Sequence, residues 1–167
     1  LEENAVAVLW SHIQDLLQPV SSPEERHVAF TFLQCLIRGQ YEQLGMMRAQ
    51  FFAVVRGHTL FEDLPHRLQL FRTLSKDGKD LEHFEEETGP FLAEWMRDVM
   101  SSSKISDFLS LAINVIKFNA AYMDEDIISS LVLNTCLIAT KTGQEEDIKL
   151  CLKVLDTVVA YSFLPSE

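Results

Sequence analysis

Residues 103–118, SKISDFLSLAINVIKF, decide which fold this chain can adopt. Apolar residues recur along the stretch at the three- and four-residue spacing of one face of an α-helix. They are Ile105, Phe108, Leu109, Ala112, Val115 and Ile116. Leu111, Ile113 and Phe118 make the adjoining side apolar as well. A helix that is apolar on two sides cannot lie on a surface, and this one is too short to span a membrane, so we expect it to pack among other helices.

Helical spacing continues on both sides of this stretch, and no segment shows a convincing β-strand pattern. The most sharply delimited segment opens with Ser22, Pro23 and Glu25, a capping box with proline at the first helical position, and we expect Gly39 to end it. The other predicted helices cover residues 3–18, 41–56, 63–74, 90–99, 124–143 and 145–161, and residues 75–89 form a polar connection.

The predicted helices form four antiparallel pairs, which begin about 35 to 50 residues apart. The pairs are residues 3–39, 41–75, 90–118 and 124–161. A two-helix unit repeated in this way is typical of HEAT and armadillo repeats, in which each pair buries its apolar face against its neighbours. The sequence therefore predicts an all-α, HEAT/armadillo-like α-solenoid that forms a single domain over residues 1–167. An ordinary globular helical domain also fits the periodicity.

The composition and charge bound the classes of partner. The chain has 167 residues, of which 47% are hydrophobic, so a sizeable core is expected and disorder is not. The formal charge is −11 at pH 7, and such a field repels phosphate backbones and anionic lipid headgroups. We therefore expect no nucleic-acid partner and no direct insertion into a membrane.

The cysteines predict a reducing compartment. Cys35, Cys136 and Cys151 are odd in number, have no paired spacing, and each lies within an apolar helical segment. We interpret all three as small buried hydrophobic residues. The chain also has no glycosylation sequon and no signal-peptide pattern, so we expect an intracellular, cytoplasmic protein.

One pair of motifs suggests an enzyme. Residues 101–104, SSSK, fit the S-x-x-K motif of serine β-lactamases, with Ser101 as the nucleophile and Lys104 beside it, and residues 141–143, KTG, fit a second motif of these enzymes. The third motif is absent, because Phe108 follows Asp107 where an asparagine is required. We therefore interpret these residues as loop serines and a helix C-terminus, and we expect no catalytic residue.

No pattern predicts a metal or cofactor site. The histidines, at positions 12, 27, 58, 66 and 83, show none of the spacings of metal-binding motifs, and the cysteines form no C-x-x-C. Acidic runs at residues 85–87 and 124–126 are expected in a polar loop and a first helical turn. Trp10 and Trp95 continue apolar stripes, so we place both in the core, together with Phe118 and Leu131. What remains is surface, and protein binding is the default function.

Five segments together resemble the N-terminal helical-repeat region of the tuberin family. They match in order and at corresponding spacing: ENAVAVLWSHIQDLLQP at 3–19, EQLGMMRAQFF at 42–52, FLAEWM at 91–96, VIKFNAAYMDEDI at 115–127 and VLDTVVAYSFLP at 154–165. The similarity runs over essentially the whole chain. It departs most at residues 21–26 and 57–89.

The resemblance implies a scaffold rather than an enzyme. Proteins of the tuberin family are the large subunit of the tuberous sclerosis complex, in which they bind hamartin. The complex restrains TOR-kinase signalling at the lysosomal surface by accelerating GTP hydrolysis on Rheb. The family's catalytic asparagine lies in a C-terminal GTPase-activating domain that has no counterpart in this chain. The resemblance therefore implies that this region engages hamartin, and it assigns no contact residues. An unrelated HEAT-like adaptor or transport solenoid is the alternative.

Overall fold

The computed structural model describes residues 3–162, and every regular element within that range is helical. The eight α-helices of the described chain are α1 (Glu3–Ile13), α2 (Pro23–Gly39), α3 (Met47–Gly57), α4 (Leu64–Leu74), α5 (Glu85–Val99), α6 (Ile105–Asn119), α7 (Glu125–Lys141) and α8 (Glu145–Ser162). Short 3-10 helices cover Gln14–Leu17, Tyr41–Gln43, Phe61–Asp63 and Ala120–Tyr122. The all-α prediction is confirmed. Among the described helices, none combines the length and the hydropathy needed to cross a membrane.

The chain divides into two compact units, where the sequence predicted one domain. Unit 1 is Leu1–Lys76 and unit 2 is Asp77–Glu167. Each unit holds two of the predicted helix pairs, with α1 to α4 in unit 1 and α5 to α8 in unit 2. In each unit, helices pack on the helix that follows them in the chain and also on the one after that. Examples of the second kind are α2 with α4 and α6 with α8.

Unit 1 is built on α2 and α4. The N-terminal cap of α2 is as predicted, since the Ser22 hydroxyl accepts a hydrogen bond from the Glu25 amide at 3.2 Å. The largest fully buried side chains of the unit include Phe30, Phe51 and Phe71. Trp10 is 8% exposed and meets the Phe51 ring edge-on, with centroids 5.4 Å apart, which confirms its core position.

Two predicted helices of unit 1 are shorter than expected. The first changes from α to 3-10 geometry at Gln14. The third was expected to run unbroken over residues 41–56, but Gly45 has a φ of +52° and α3 begins only at Met47. Because this left-handed conformation costs glycine little, Gly45 turns the chain between the 3-10 helix and α3 rather than continuing a helix.

Unit 2 is built around α6, as the opening stretch predicts. Residues of α6 face three ways, since α6 packs on α5, on α8 and on the 3-10 helix Ala120–Tyr122. Leu111 and Ile113 are buried along with the main apolar stripe. Trp95 of α5 is fully buried between Phe91 and Phe108, with ring centroids at 4.9 and 5.4 Å, so its predicted core position is also confirmed.

The start of α5 is a correction. Residues 89 and 90 were expected to open this helix, but it begins at Glu85 and contains Pro90 in its interior. A Cβ on Gly89 would lie 3.1 Å from Met123 Cγ and 3.3 Å from Ile127 Cγ2. The glycine therefore permits close approach of α7, and the three glutamates that were assigned to a loop occupy the first helical turn, where the helix dipole favours negative charge.

The polar connection is shorter and better anchored than predicted. Leu81 and Phe84 are buried, and the Asn114 side chain of α6 donates to the Asp77 carbonyl at 2.9 Å. Gly78 has a φ of +87°, and a Cβ there would lie 2.9 Å from Val115 Cγ2. The connection thus packs on α6 through its backbone, which polar composition alone does not reveal.

Three burial predictions are wrong. Phe118 is 53% exposed, and the Lys117 ammonium lies 5.7 Å from its ring centroid. Cys35 and Cys136 are exposed, each on the side of its helix away from the buried stripe. Cys151 and Leu131 are fully buried, as expected.

Candidate functional site

A single buried carboxylate organises unit 1. Asp63 is fully buried, and we call the group formed by Arg26, His27, His58, Asp63 and His66 the Asp63 cluster. Asp63 Oδ2 accepts hydrogen bonds from Arg26 Nε at 2.7 Å and from His58 Nε2 at 2.6 Å, and Oδ1 accepts from His27 Nε2 at 2.7 Å. An ionised carboxylate only accepts, so both imidazoles donate through Nε2.

The charge of Asp63 is strongly stabilised. Burial alone would raise its pKa, but the hydrogen bonds from Arg26, His58 and His27 outweigh burial and lower the pKa to about 2. The Asp63 carboxylate is therefore ionised at neutral pH. An ion of this kind costs free energy to bury and is tolerated only with nearly complete hydrogen bonding.

The Asp63 cluster ties together two loops of unit 1. Arg26 lies on the buried side of α2 and also donates from Nη1 to the Ser21 carbonyl at 2.6 Å, in the loop before α2. A further bond joins Arg26 to the Glu62 carboxylate. Asp63 ends the 3-10 helix before α4, and His58 follows the last residue of α3. The loops before α2 and before α4 are therefore fixed to one another.

Two more buried arginines fasten the ends of helices in unit 1. Arg48 Nη2 donates to the Leu74 carbonyl at 3.0 Å, the last residue of α4. Arg67 donates to the Val55 carbonyl and, at 3.2 Å, to the Arg56 carbonyl in the last turn of α3. Because terminal carbonyls have no partner within their own helix, these bonds satisfy groups that burial would otherwise penalise.

A cleft of about 450 Å³ adjoins the Asp63 cluster and shares His58 with it. We call it the Trp10 cleft. It is lined by Trp10, Gln14, Asp15, Leu17, Gln18, Pro19, Ala53, Val54, Gly57, His58, Thr59 and Leu60. Two highly exposed apolar residues follow lining residues in the chain, namely Val20 at 94% and Phe61 at 65% exposure. The lining is mixed, because Gln14, Asp15 and His58 stand beside Trp10 and Leu17.

The Asp63 cluster is a poor candidate for a metal site. Within the part of the chain that the structure describes, no group of three or more histidine, cysteine, aspartate or glutamate side chains could hold a metal ion. In the cluster, His27 and His58 each donate a hydrogen bond from Nε2 to the Asp63 carboxylate, so these nitrogen atoms have no lone pair for a metal ion. The arrangement is suited to holding the walls of the Trp10 cleft in place.

The motif residues that suggested an enzyme lie at a turn and at a helix end. Ser101 is exposed in the turn between α5 and α6, and the Lys104 amide donates to the Ser102 hydroxyl at 3.2 Å. The K-T-G motif closes α7, where the Thr142 hydroxyl donates to Asp147 at 3.0 Å. These positions match the turn and the helix C-terminus that the sequence predicted.

Sequence reasoning missed the Asp63 cluster. It treated the histidines as scattered, but His27, His58 and His66 lie around one carboxylate. One signal was available, since Arg26 falls in phase with the buried stripe of α2 that continues through Phe30. A charged residue in a buried stripe needs a partner, although the spacing does not say which one.

Comparison with known proteins identifies both a family and a fold. The model of the family described as Domain of unknown function (DUF3384) matches residues 1–167. The structure is similar to that of the TSC2 N-terminus, with a TM-score of 0.83 and 20% sequence identity over 94% of this chain. The match covers 42% of that chain, so this chain spans less than half of its length. At this identity the likeness establishes the fold, and it confirms the predicted fold class.

Proposed function

Because the chain belongs to the DUF3384 family, whose match together with the fold supports the predicted tuberin-like N-terminal region, we propose that it is a non-catalytic protein-binding scaffold. Its partner in this proposal is hamartin, through a helical or coiled-coil segment. The chain contributes to a complex that restrains TOR signalling at the lysosomal surface. Activation of GTP hydrolysis on Rheb belongs to a C-terminal domain outside residues 1–167.

The Trp10 cleft is the main structural support for a binding function. Its lining includes Trp10 and Leu17, and two exposed apolar residues, Val20 and Phe61, directly follow lining residues in the chain. Interfaces concentrate their binding free energy in a few aromatic or apolar anchors seated in pockets. A partner helix that places one such side chain in the cleft would bury this surface.

Rigidity of the cleft supports the same function. His58 lines the cleft and is held by Asp63, which Arg26 holds in turn. A wall that is already ordered before binding loses little conformational entropy when the partner arrives, and this raises affinity. In this proposal the buried charges therefore serve binding by preorganising the site.

A pair of alanine substitutions tests the proposal. Ala53 is exposed and lines the Trp10 cleft, so Ala53→Arg fills the cleft without touching the core. Ala160→Arg makes the same change on an exposed position of α8 and serves as the control. We expect A53R to weaken binding to purified hamartin segments by at least about tenfold and A160R to leave it unchanged.

The measurement is the dissociation constant by isothermal titration calorimetry, with circular dichroism to confirm folding. Equal affinities for A53R and the unmodified chain would move the interface away from the Trp10 cleft. Absence of binding to every hamartin segment by the unmodified chain would favour the alternative, an adaptor or transport solenoid with another partner.

A further inference from the structure

His66 is the one member of the Asp63 cluster that does not bond to the carboxylate in the described contacts. Its ring stacks on His27, with centroids 3.9 Å apart and planes inclined by 12°, and it also contacts the Phe30 ring. Its Nδ1 atom is buried and has no hydrogen-bond partner. The stacked pair joins the first turn of α4 to the second turn of α2.

The surroundings of His66 suit only its neutral form. From α2 it faces the His27 imidazole, beside the Arg26 guanidinium, and from the 3-10 helix before α4 it faces Asp63. That carboxylate is already occupied by Arg26, His27 and His58. The remaining nearby carboxylate, Glu62, is bonded to Arg26. A proton on Nδ1 of His66 would therefore place a second cation against His27 without an acceptor.

Helix α3 also packs on α4, and its charged side chains are engaged or exposed elsewhere. Arg48 reaches the carbonyl of Leu74 at the opposite end of α4, and Arg56 is exposed. In agreement with this geometry, burial and the neighbouring His27 lower the pKa of His66 below its ordinary 6.5, and Asp63 opposes them only in part.

We propose that the stacked pair His27 and His66 is a proton-operated latch between α2 and α4, closed when His66 is neutral and released when His66 gains a proton. A protonated imidazole needs a hydrogen-bond acceptor for each N–H and contact with water. His66 is close enough to the surface to turn outward and reach both. Release separates the two stacked imidazole rings and loosens the contact between α2 and α4 at that point. The bonds of Asp63 to Arg26 and His58 remain, so the opening is local.

The direction of the pH dependence follows from linkage. A histidine whose pKa is lower in the closed form than in the open form binds its proton preferentially in the open form. The latch is therefore fully closed above about pH 6.5 and weakens as the pH falls below that value. One linked proton changes the opening equilibrium by at most about tenfold per pH unit.

Hydrogen exchange followed by NMR on the whole 167-residue chain tests the latch. Between about pH 7.5 and 5.5, we expect hydrogen-bonded amides in the second turns of α2 and α4 to lose protection, corrected for intrinsic exchange, by up to about tenfold per pH unit below 6.5. The pKa of His66, followed through its imidazole signal, should lie below 6.5.

Matched variants separate the latch from other histidines. His66→Phe keeps a stacking ring and cannot be protonated, so its protection should not vary with pH in this range. His12→Phe makes the same change at an exposed position outside the Asp63 cluster and should behave as the unmodified chain. If H66F proves poorly helical by circular dichroism, His66→Gln takes its place. Constant protection in the unmodified chain, or an unchanged pH dependence in the His66 variant, would overturn the proposal.

Discussion

Gly89 of α5 lies directly against Ile127 of α7, so closely that a Cβ on the glycine would stand 3.3 Å from Ile127 Cγ2. Thr88 and Gly89 are both buried within α5, and α5 and α7 pack on each other. A residue without a side chain is therefore part of the interior of unit 2, where protein atoms are close-packed.

The first prediction concerns this contact. Gly89→Val should lower the free energy of unfolding by about 1 to 3 kcal/mol, because the added methyl groups meet Met123 and Ile127. Gly39→Val is the matched control, since Gly39 also lies in a helix but has nothing within 4 Å of an added Cβ. We expect the control to change stability by less than about 0.5 kcal/mol in urea denaturation. Equal losses at both positions would show that α5 and α7 do not approach as closely as described.

The second prediction concerns Asp63. Asp63→Asn should lower the free energy of unfolding at neutral pH by about 3 to 5 kcal/mol, because it removes the buried counter-charge of Arg26 and leaves only the exposed Glu62 carboxylate. Urea denaturation measures the loss. Asp156→Asn, at an exposed position of α8, should have almost no effect.

The third prediction is the pH dependence of that effect. The pKa of Asp63 falls from 3.8 to about 2 on folding, so its contribution to stability is complete above pH 3.8 and is lost as the pH falls through 2. The stability difference between the unmodified chain and D63N should therefore narrow as the pH is lowered below 3.8. A constant difference between pH 5 and the acid-unfolding range, about pH 3, would contradict the assigned ionisation.

The fourth prediction separates two positions that the sequence treated alike. Leu131→Asp should abolish folding, because truncation of a fully buried leucine already costs about 2 to 5 kcal/mol and an unpaired charge costs more. Phe118→Asp should cost less than about 1 kcal/mol, since that ring is 53% exposed. Thermal unfolding followed by circular dichroism tests both. Comparable melting temperatures for the two variants would contradict the burial of Leu131.

The fifth prediction concerns thiol reactivity. Cys35 and Cys136 are exposed and should react with a maleimide reagent in the native protein. Cys151 should react only after denaturation, because it is fully buried and because burial, followed by the charges of Asp147 and Cys136, raises the pKa of its thiol to about 11. Mass spectrometry of peptides labelled before and after addition of urea checks the order. Rapid native labelling of Cys151 would indicate that unit 2 opens readily.

The helices were largely predictable because their signals are local. The spacing along residues 103–118 gave the central position of α6, and Ser22 with Pro23 gave the start of α2. The predicted helix bounds were wrong where a glycine can either end a helix or lie inside one. Gly45 breaks a helix through a positive φ, whereas Gly89 stays inside one because a neighbouring helix needs the space.

The sequence by itself determined the helical class, the central position of α6 and the resemblance to the tuberin family. Only the tertiary structure decided that Arg26 and His27 meet Asp63, which lies 37 and 36 residues further along the chain, and that a cleft opens beside them. Periodicity reports which face of a helix is buried, because that depends on neighbours three or four residues away. It cannot report which buried faces pack against each other. The pair of Arg26 and Asp63 in unit 1 depends on such a packing contact.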